Sequence, residues 1–224
     1  MKPENVILEG VVGSTAYGLN HAGSDEDVKG IYIAPTSAIL SLPAFQPKQT
    51  IDHTDPDWVY QEVGKYISLA LKCNPTVTEL LWLEGYTALT KQGKILVDNR
   101  HLFLSTGYVK NAYTGYCFSQ AHKLNARGGT YGNGRNKRYS KHTRHLFRLL
   151  LQGRELLETG KLTVRVNPEL RGELFAMGEL PADQIINRFA EEIEKFKDIK
   201  SVLPDEPDYA RVNELLLKIR KGNW

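Results

Sequence analysis

Cysteine is scarce in this chain of 224 residues: Cys73 and Cys117 are the only two, and neither has a neighbour at metal-ligand spacing. That argues against a disulfide framework or a structural zinc site and predicts buried free thiols. Long apolar runs are missing too, and Met1-Lys2-Pro3-Glu4-Asn5 lacks the apolar segment of a secretion signal. A cytoplasmic protein with no membrane partner is therefore expected. Internal repeats and low-complexity tails are likewise missing, while 41% hydrophobic content suffices for a real core. The absence that carries most information is of acid. Residues 99–154 hold no Asp or Glu across 56 positions but eleven Lys or Arg, which leaves 18 basic against 26 acidic residues elsewhere although the net charge is only +3. Charge segregated in this way is the footprint of a polyanion site, whether for a triphosphate, a nucleic acid or both.

Within the acid-free region three parts separate. Ser105 to Leu124 places Val109, Ala112, Tyr113, Tyr116 and Cys117 at helical spacing, so its aromatics read as core. Residues 125–137 form a glycine-rich loop carrying Arg127, Tyr131, Arg135 and Lys137, with Arg138 following. Glycines permit close backbone approach and Tyr131 offers a stacking face, so these five residues are the expected nucleic-acid contacts. A helix from about Ser140 to Thr159 turns Leu146, Leu149, Leu150 and Leu157 inward and sets Lys141, Arg144, His145 and Arg148 on one stripe at steps of three and four. Lys141, Arg144 and Arg148 are expected to receive nucleotide phosphates or to track a nucleic-acid backbone. His142 and His145 read as helix-surface residues with no acid or base role. Gly160 suits the end of that helix; beyond Lys161 come an amphipathic helix from Pro181, a Pro204-x-x-Pro207 break and a last helix, Tyr209 to Arg220.

The densest chemistry lies at residues 13–27. Short β-branched or apolar runs, Val6 to Leu8 and Val11 to Val12, deliver the chain to Gly13-Ser14, where a residue without a Cβ lets backbone amides approach an anion. After the turn-rich Asn20 to Ser24, the stretch from Asp25 to Ile33 reads as a strand, so Asp25 and Asp27 are expected on one face. Two adjacent carboxylates repel unless neutralised, and divalent cations with oxygen ligands do that while clamping the oxygens of an in-line displacement. An EF-hand is a poor fit, because counting from Asp25 puts Lys29 at the fifth ligand position and Thr36 where the bidentate Glu belongs.

Gly13-Ser14, a ten-residue spacer and Asp25-x-Asp27 resemble the signature of the polymerase-beta-like nucleotidyltransferase superfamily. The fuller string, Gly-Ser-x-Ala-Tyr-Gly-Leu followed by Ser-Asp-x-Asp-Val-x-Gly-Ile-Tyr-Ile, is similar to the predicted nucleotidyltransferases associated with RNA-repair pathways, a branch found in bacteria and phages. The block from Lys65 through Asn74-Pro75 to Leu81 is similar to that branch as well. The middle residue of the Asp-x-Asp, often apolar in the superfamily, is Glu26 here.

The resemblance implies an α/β (α+β) fold with a small mixed sheet over residues 1–104 and a C-terminal helical domain over 105–224. It implies metal-dependent transfer of a nucleoside monophosphate from a nucleoside triphosphate, ATP among the candidates, to a hydroxyl, with an RNA end as acceptor. Asp25, Asp27 and a third carboxylate would hold Mg²⁺ or Mn²⁺. Asp57, opening the run Trp58-Val59-Tyr60, is the first choice for that third ligand, with Asp52, Asp55 and Glu62 open because a one-residue slip reverses every side chain of a strand. Gly13, Ser14, Tyr17 and Ser24 would meet the nucleotide, Tyr17 either stacking on a base or closing its loop against the sheet. Glu79 reads as the acid of a capping box, Thr76-x-x-Glu79, behind the Asn74-Pro75 turn. The alternatives are a protein or small-molecule hydroxyl as acceptor and, from outside enzymology, a non-catalytic RNA-binding module.

Overall fold

The computed structural model describes residues 1–127, 137–221 and 223, the side chains of 125–127 and 137 aside. The chain assorts into two compact units, Met1–Leu104 with Glu206–Trp224, and Ser105–Asp205. Sequence alone places 206–224 with the helical part, whereas packing groups that segment with the first unit.

In chain order the first unit contains β1 (Val6–Val12), α1 (Gly13–Ala16), β2 (Asp27–Tyr32), α2 (Thr36–Ile39), β3 (Thr50–Thr54), β4 (Asp57–Glu62), α3 (Val63–Ala70), α4 (Pro75–Thr78), β5 (Ala88–Leu89) and α5 (Lys91–Asp98). The second contains α6 (Thr106–Arg127), α7 (Lys137–Thr159), α8 (Pro168–Met177) and α9 (Ala182–Lys197); α10 (Tyr209–Arg220) returns to the first. The expected small mixed sheet is present: its order is β3-β4-β2-β1-β5, with β2 and β4 parallel and the other pairs antiparallel.

Alternation along the central strands sorts the sheet into two faces. Tyr32, Ala34, Trp58 and Tyr60 form a buried cluster against which Val28 packs. Asp27, Lys29 and Ile31, the intervening residues of β2, point the other way by the same period, and Lys29 reaches α4, donating to the Thr76 carbonyl. Close packing of α5 on β1 requires a glycine, since a Cβ at Gly93 would stand 2.1 Å from the Ile7 carbonyl oxygen. Glu62, buried at the end of β4, caps α3 by accepting from the Gly64 amide (2.7 Å) and pairs with Arg220 of α10 (2.8 Å). That ion pair explains why the last helix belongs to this unit.

The second unit is built on α6 and α7, with α8 and α9 packed against them. Tyr139 and Ser140, near the start of α7, donate to the carbonyls of Leu180 and Gly178 (2.9 and 2.7 Å) beyond α8. Both cysteines are buried free thiols, as expected, and burial pushes the Cys117 thiol up to about 12. No helix among the described residues is long and apolar enough to cross a membrane.

Candidate active site and basic helical face

The site begins where β1 ends. Val12 pairs with Asp27 across the antiparallel β1–β2 ladder, and the chain then turns at Gly13 with φ of 67° into the single turn of α1. Gly13 and the Asp27 carboxylate consequently touch: a Cβ built on Gly13 would lie 2.1 Å from Asp27 Oδ2. The loop that follows is closed by its own hydrogen bonds. Leu19 N donates to the Ser14 carbonyl (2.9 Å), and His21 N donates to Ser24 Oγ (3.0 Å), so the Ser24 side chain helps to form the turn leading into β2.

The strand starts at Asp27, two residues later than the sequence suggested. Asp25 and Glu26 belong to the irregular segment before it, and both are exposed while Asp27 is half-buried. The turn chemistry of Gly23 (φ of 82°) and Ser24 takes precedence over the β propensity of the residues beyond.

The register of the parallel β2–β4 pair bears on the third carboxylate. Val28 stands beside Trp58, so Asp27 and Asp57 open their strands at the same end of the sheet and share its face. Glu62 stands beside Tyr32 at the opposite end and is committed to α3 and Arg220. Asp52 pairs with Val59, and Asp55 lies in the β3–β4 turn; both are exposed, as is Asp57. No group of three His, Cys, Asp or Glu side chains is gathered as a metal cage among the described residues. Magnesium is ordinarily held through one or two carboxylates plus substrate phosphates and water rather than an all-protein cage. The exposed Asp25 and Asp57 and the half-buried Asp27 supply the hard oxygen donors which that mode of binding needs.

One reading left open by the sequence is decided here and another is corrected. Tyr17 is buried, and its hydroxyl donates to Glu79 Oε2 (2.7 Å), so it closes the loop rather than offering a ring to a base. Glu79 is not the acid of a capping box. Asn74 caps α4, accepting from Thr76 N at 3.1 Å, and Glu79, 2% exposed, turns toward the sheet to face Lys29 Nζ at 3.7 Å. Tyr17, Glu79 and Lys29 thus join the loop after Gly13-Ser14 to the strand that carries Asp27. Sequence pattern pointed to the Asn-Pro segment but not to this use, because the partners stand 62 and 50 residues away from Glu79 in the chain.

In the helical unit the four-residue stripe divides. Lys141 is exposed and Arg144 half-buried, with its guanidinium 4.4 Å from the Phe175 ring centroid. Arg148 is 1% exposed, donating to Gln152 Oε1 and to His145 Nδ1 (2.9 Å). An arginine so enclosed is a structural member of α7, which corrects its assignment to nucleotide phosphates. Arg138 is exposed near the start of α7, while Tyr131, Arg135 and the side chains of Arg127 and Lys137 lie outside the described residues.

Burial, and then the Arg148 charge, hold the His145 imidazole well below its usual range. In the folded state the ring is therefore neutral at pH values where the unfolded chain takes a proton. Stability from this group is complete above about pH 6.5 and falls below it, by about 1.4 kcal/mol per pH unit for one proton. Urea midpoints at pH 7.5 and 5.5 should diverge more for the wild type than for His145→Gln, and parallel shifts would remove His145 as the cause.

The family model described as RNA repair pathway DNA polymerase beta family matches residues 2–218 of the chain. No curated protein matches the chain.

Proposed function

Because the chain belongs to the RNA repair pathway DNA polymerase beta family, we propose that it transfers a nucleoside monophosphate from a nucleoside triphosphate to a hydroxyl at an RNA end. The observation that carries this reading is the contact of Gly13 with the Asp27 carboxylate, in which the glycine of the Gly-Ser pair is pressed against an aspartate of the Asp-x-Asp.

Asp25, Asp27 and Asp57 would hold Mg²⁺ or Mn²⁺, which when bound neutralises the phosphates and the developing charge. Gly13, lacking a side chain, makes room for the Asp27 carboxylate, and the backbone amides of the turn with the Ser14 hydroxyl would meet the triphosphate. Asp57 accepts the proton of the attacking hydroxyl. That oxygen forms a bond to the α-phosphorus, the α–β phosphoanhydride bond breaks, and pyrophosphate leaves. Tyr17, Glu79 and Lys29 tie the glycine turn to the strand that carries Asp27.

The test is incorporation of α-labelled ATP, CTP, GTP and UTP, with magnesium or manganese, into RNA and separately into protein. Label on RNA should fall by about 10²- to 10³-fold in Asp27→Ala, the order of effect expected when a principal electrostatic contact to the transition state is removed. Label on protein alone would move the assignment to protein nucleotidylation. RNA binding without labelling, unchanged when Asp25 and Asp27 are replaced, would leave a binding module.

A further inference from the structure

β3 is an edge of the sheet, paired on one side with β4 and, among the described residues, with no strand on the other. Which of its backbone groups face outward follows from the ladder. The Glu62 amide donates to the Gln49 carbonyl (3.0 Å), so in the alternation of an antiparallel pair Gln49, Ile51 and His53 direct their N–H and C=O groups to β4. Thr50, Asp52 and Thr54 direct theirs away from β4, and all three residues are exposed. Natural edges are blunted by proline, lysine, bulges or a covering segment. Thr50–Thr54 contains neither proline nor lysine, and its register with β4 runs without a shift.

An apolar surface adjoins that edge. Leu40, Leu42 and Phe45, in the segment between α2 and β3, are 72, 71 and 73% exposed. The segment is ordered by its own hydrogen bonds, so the exposure is part of its structure. Gln46 donates its side-chain amide to the carbonyls of Ile39 and Ser41 (3.2 Å each), and Phe45 N donates to the Leu42 carbonyl (2.8 Å). Ile39 of this segment and Ile51 of β3 pack on the same buried cluster, so segment and edge share that side of the sheet. Exposed apolar groups gathered in this way mark interaction surfaces. Charge is asymmetric along the edge: the exposed Lys48 precedes the strand and the exposed Asp52 lies within it. Neither has an ion-pair partner among the described residues.

We propose that a second copy of this chain occupies this surface, the two β3 strands pairing antiparallel across a two-fold axis. A strand paired antiparallel with its own copy makes a closed, isologous contact. With Ile51 opposite Ile51, Thr50 stands opposite Asp52, and the outward N–H and C=O groups of both are matched twice over by symmetry. The same register sets Lys48 of one copy diagonal to Asp52 of the other, about 7–8 Å apart along the backbone and within reach of a long side chain. Centring on Asp52 instead would oppose two like charges, and a parallel pairing would set acid beside acid, so charge selects the register. β5, the other edge of the sheet, has only 2 residues, so pairing stops at a dimer. The apolar segments flank the joined edges in both copies. This association is independent of the transfer chemistry.

The experiment is sedimentation velocity of the full chain from about 1 to 200 µM, a range suited to an interface of modest size. The wild type should pass from monomer to dimer within it. Thr50→Pro removes an outward donor at the first residue of the strand, a position where an edge tolerates proline, and Phe45→Ser removes apolar surface; each should raise the dissociation constant by about tenfold or more. The register has its own test. Lys48→Asp and Asp52→Lys should each weaken self-association by about tenfold, because each sets like charges on both diagonals. An equimolar mixture of those two variants should restore the dimer, since every diagonal then joins opposite charges. If Thr50→Pro lowers the melting temperature, the mixture decides. A wild type that stays monomeric throughout would overturn the proposal and leave the edge to an extended segment of another protein. So would a mixture no more associated than its components, and so would undiminished dimers in both Thr50→Pro and Phe45→Ser.

Discussion

Replacing Gly13 with alanine should destabilise the protein by about 1–3 kcal/mol and reduce label transfer by about 100-fold or more. Two separate effects act at this position. A side chain at φ of 67° is strained whatever surrounds it, and a Cβ there would overlap Asp27 Oδ2 at 2.1 Å, so the carboxylate must swing away. Displacement by about 1 Å at a reacting centre is enough to cost two orders of magnitude. The contributions separate in the Asp27→Ala background, where only the backbone strain remains and the stability cost of Gly13→Ala should shrink. Gly85→Ala, whose Cβ would meet nothing within 4 Å, serves as the control. Thermal melting and label transfer measured on the same samples give both readouts. Undiminished transfer by Gly13→Ala would show that the contact with Asp27 does not set the geometry of the reaction.

Glu79→Ala should have the largest effect on stability, about 3 kcal/mol, the lower end for a broken buried ion pair. The lower end applies because the Lys29 side chain is 27% exposed and water recovers part of the loss, whereas that of Glu79 is only 3% exposed. The truncation leaves the Lys29 ammonium facing the Thr76 carbonyl without its counter-charge and takes from the Tyr17 hydroxyl the acceptor at 2.7 Å. Removing both charges together, as Lys29→Met with Glu79→Leu, should recover most of the stability, since a buried pair replaced by apolar groups of similar volume is often neutral. Urea denaturation of Lys29→Met, Glu79→Leu and the double completes the cycle. Additive losses would mean that the two residues do not act on each other, and the tie between the glycine turn and the Asp27 strand would fall with them.

How far the sequence can be read differs from element to element. Helix Tyr209–Arg220 is legible to the residue, because the Pro204-x-x-Pro207 break and the run to Arg220 are local signals. The strand that Asp57 opens is legible too, because Trp58-Val59-Tyr60 carries β propensity. The start of β2 is not, because Gly23 and Ser24 make a turn whose reach along the chain no propensity specifies. Glu79 misleads for a different reason: a capping box and a buried ion-pair partner have the same spelling, and only the fold brings Lys29 and Tyr17 to it.

The same division holds for the candidate site. Gly13-Ser14 and Asp25-x-Asp27 at short spacing carried the resemblance to the family, and the mixed sheet and the helical part followed from that resemblance rather than from the spacing itself. Tertiary structure decided what spacing cannot express. It set Asp27 against Gly13 through ladder pairing, brought Asp57 to the same strand end through a parallel register, and drew Glu62 away to Arg220. Along α7 it separated Arg148, enclosed among Gln152 and His145, from Arg144, which met Arg171 over Phe175. Helical period names the residues that share a face, but which of them face a neighbouring helix is settled only when the helices pack.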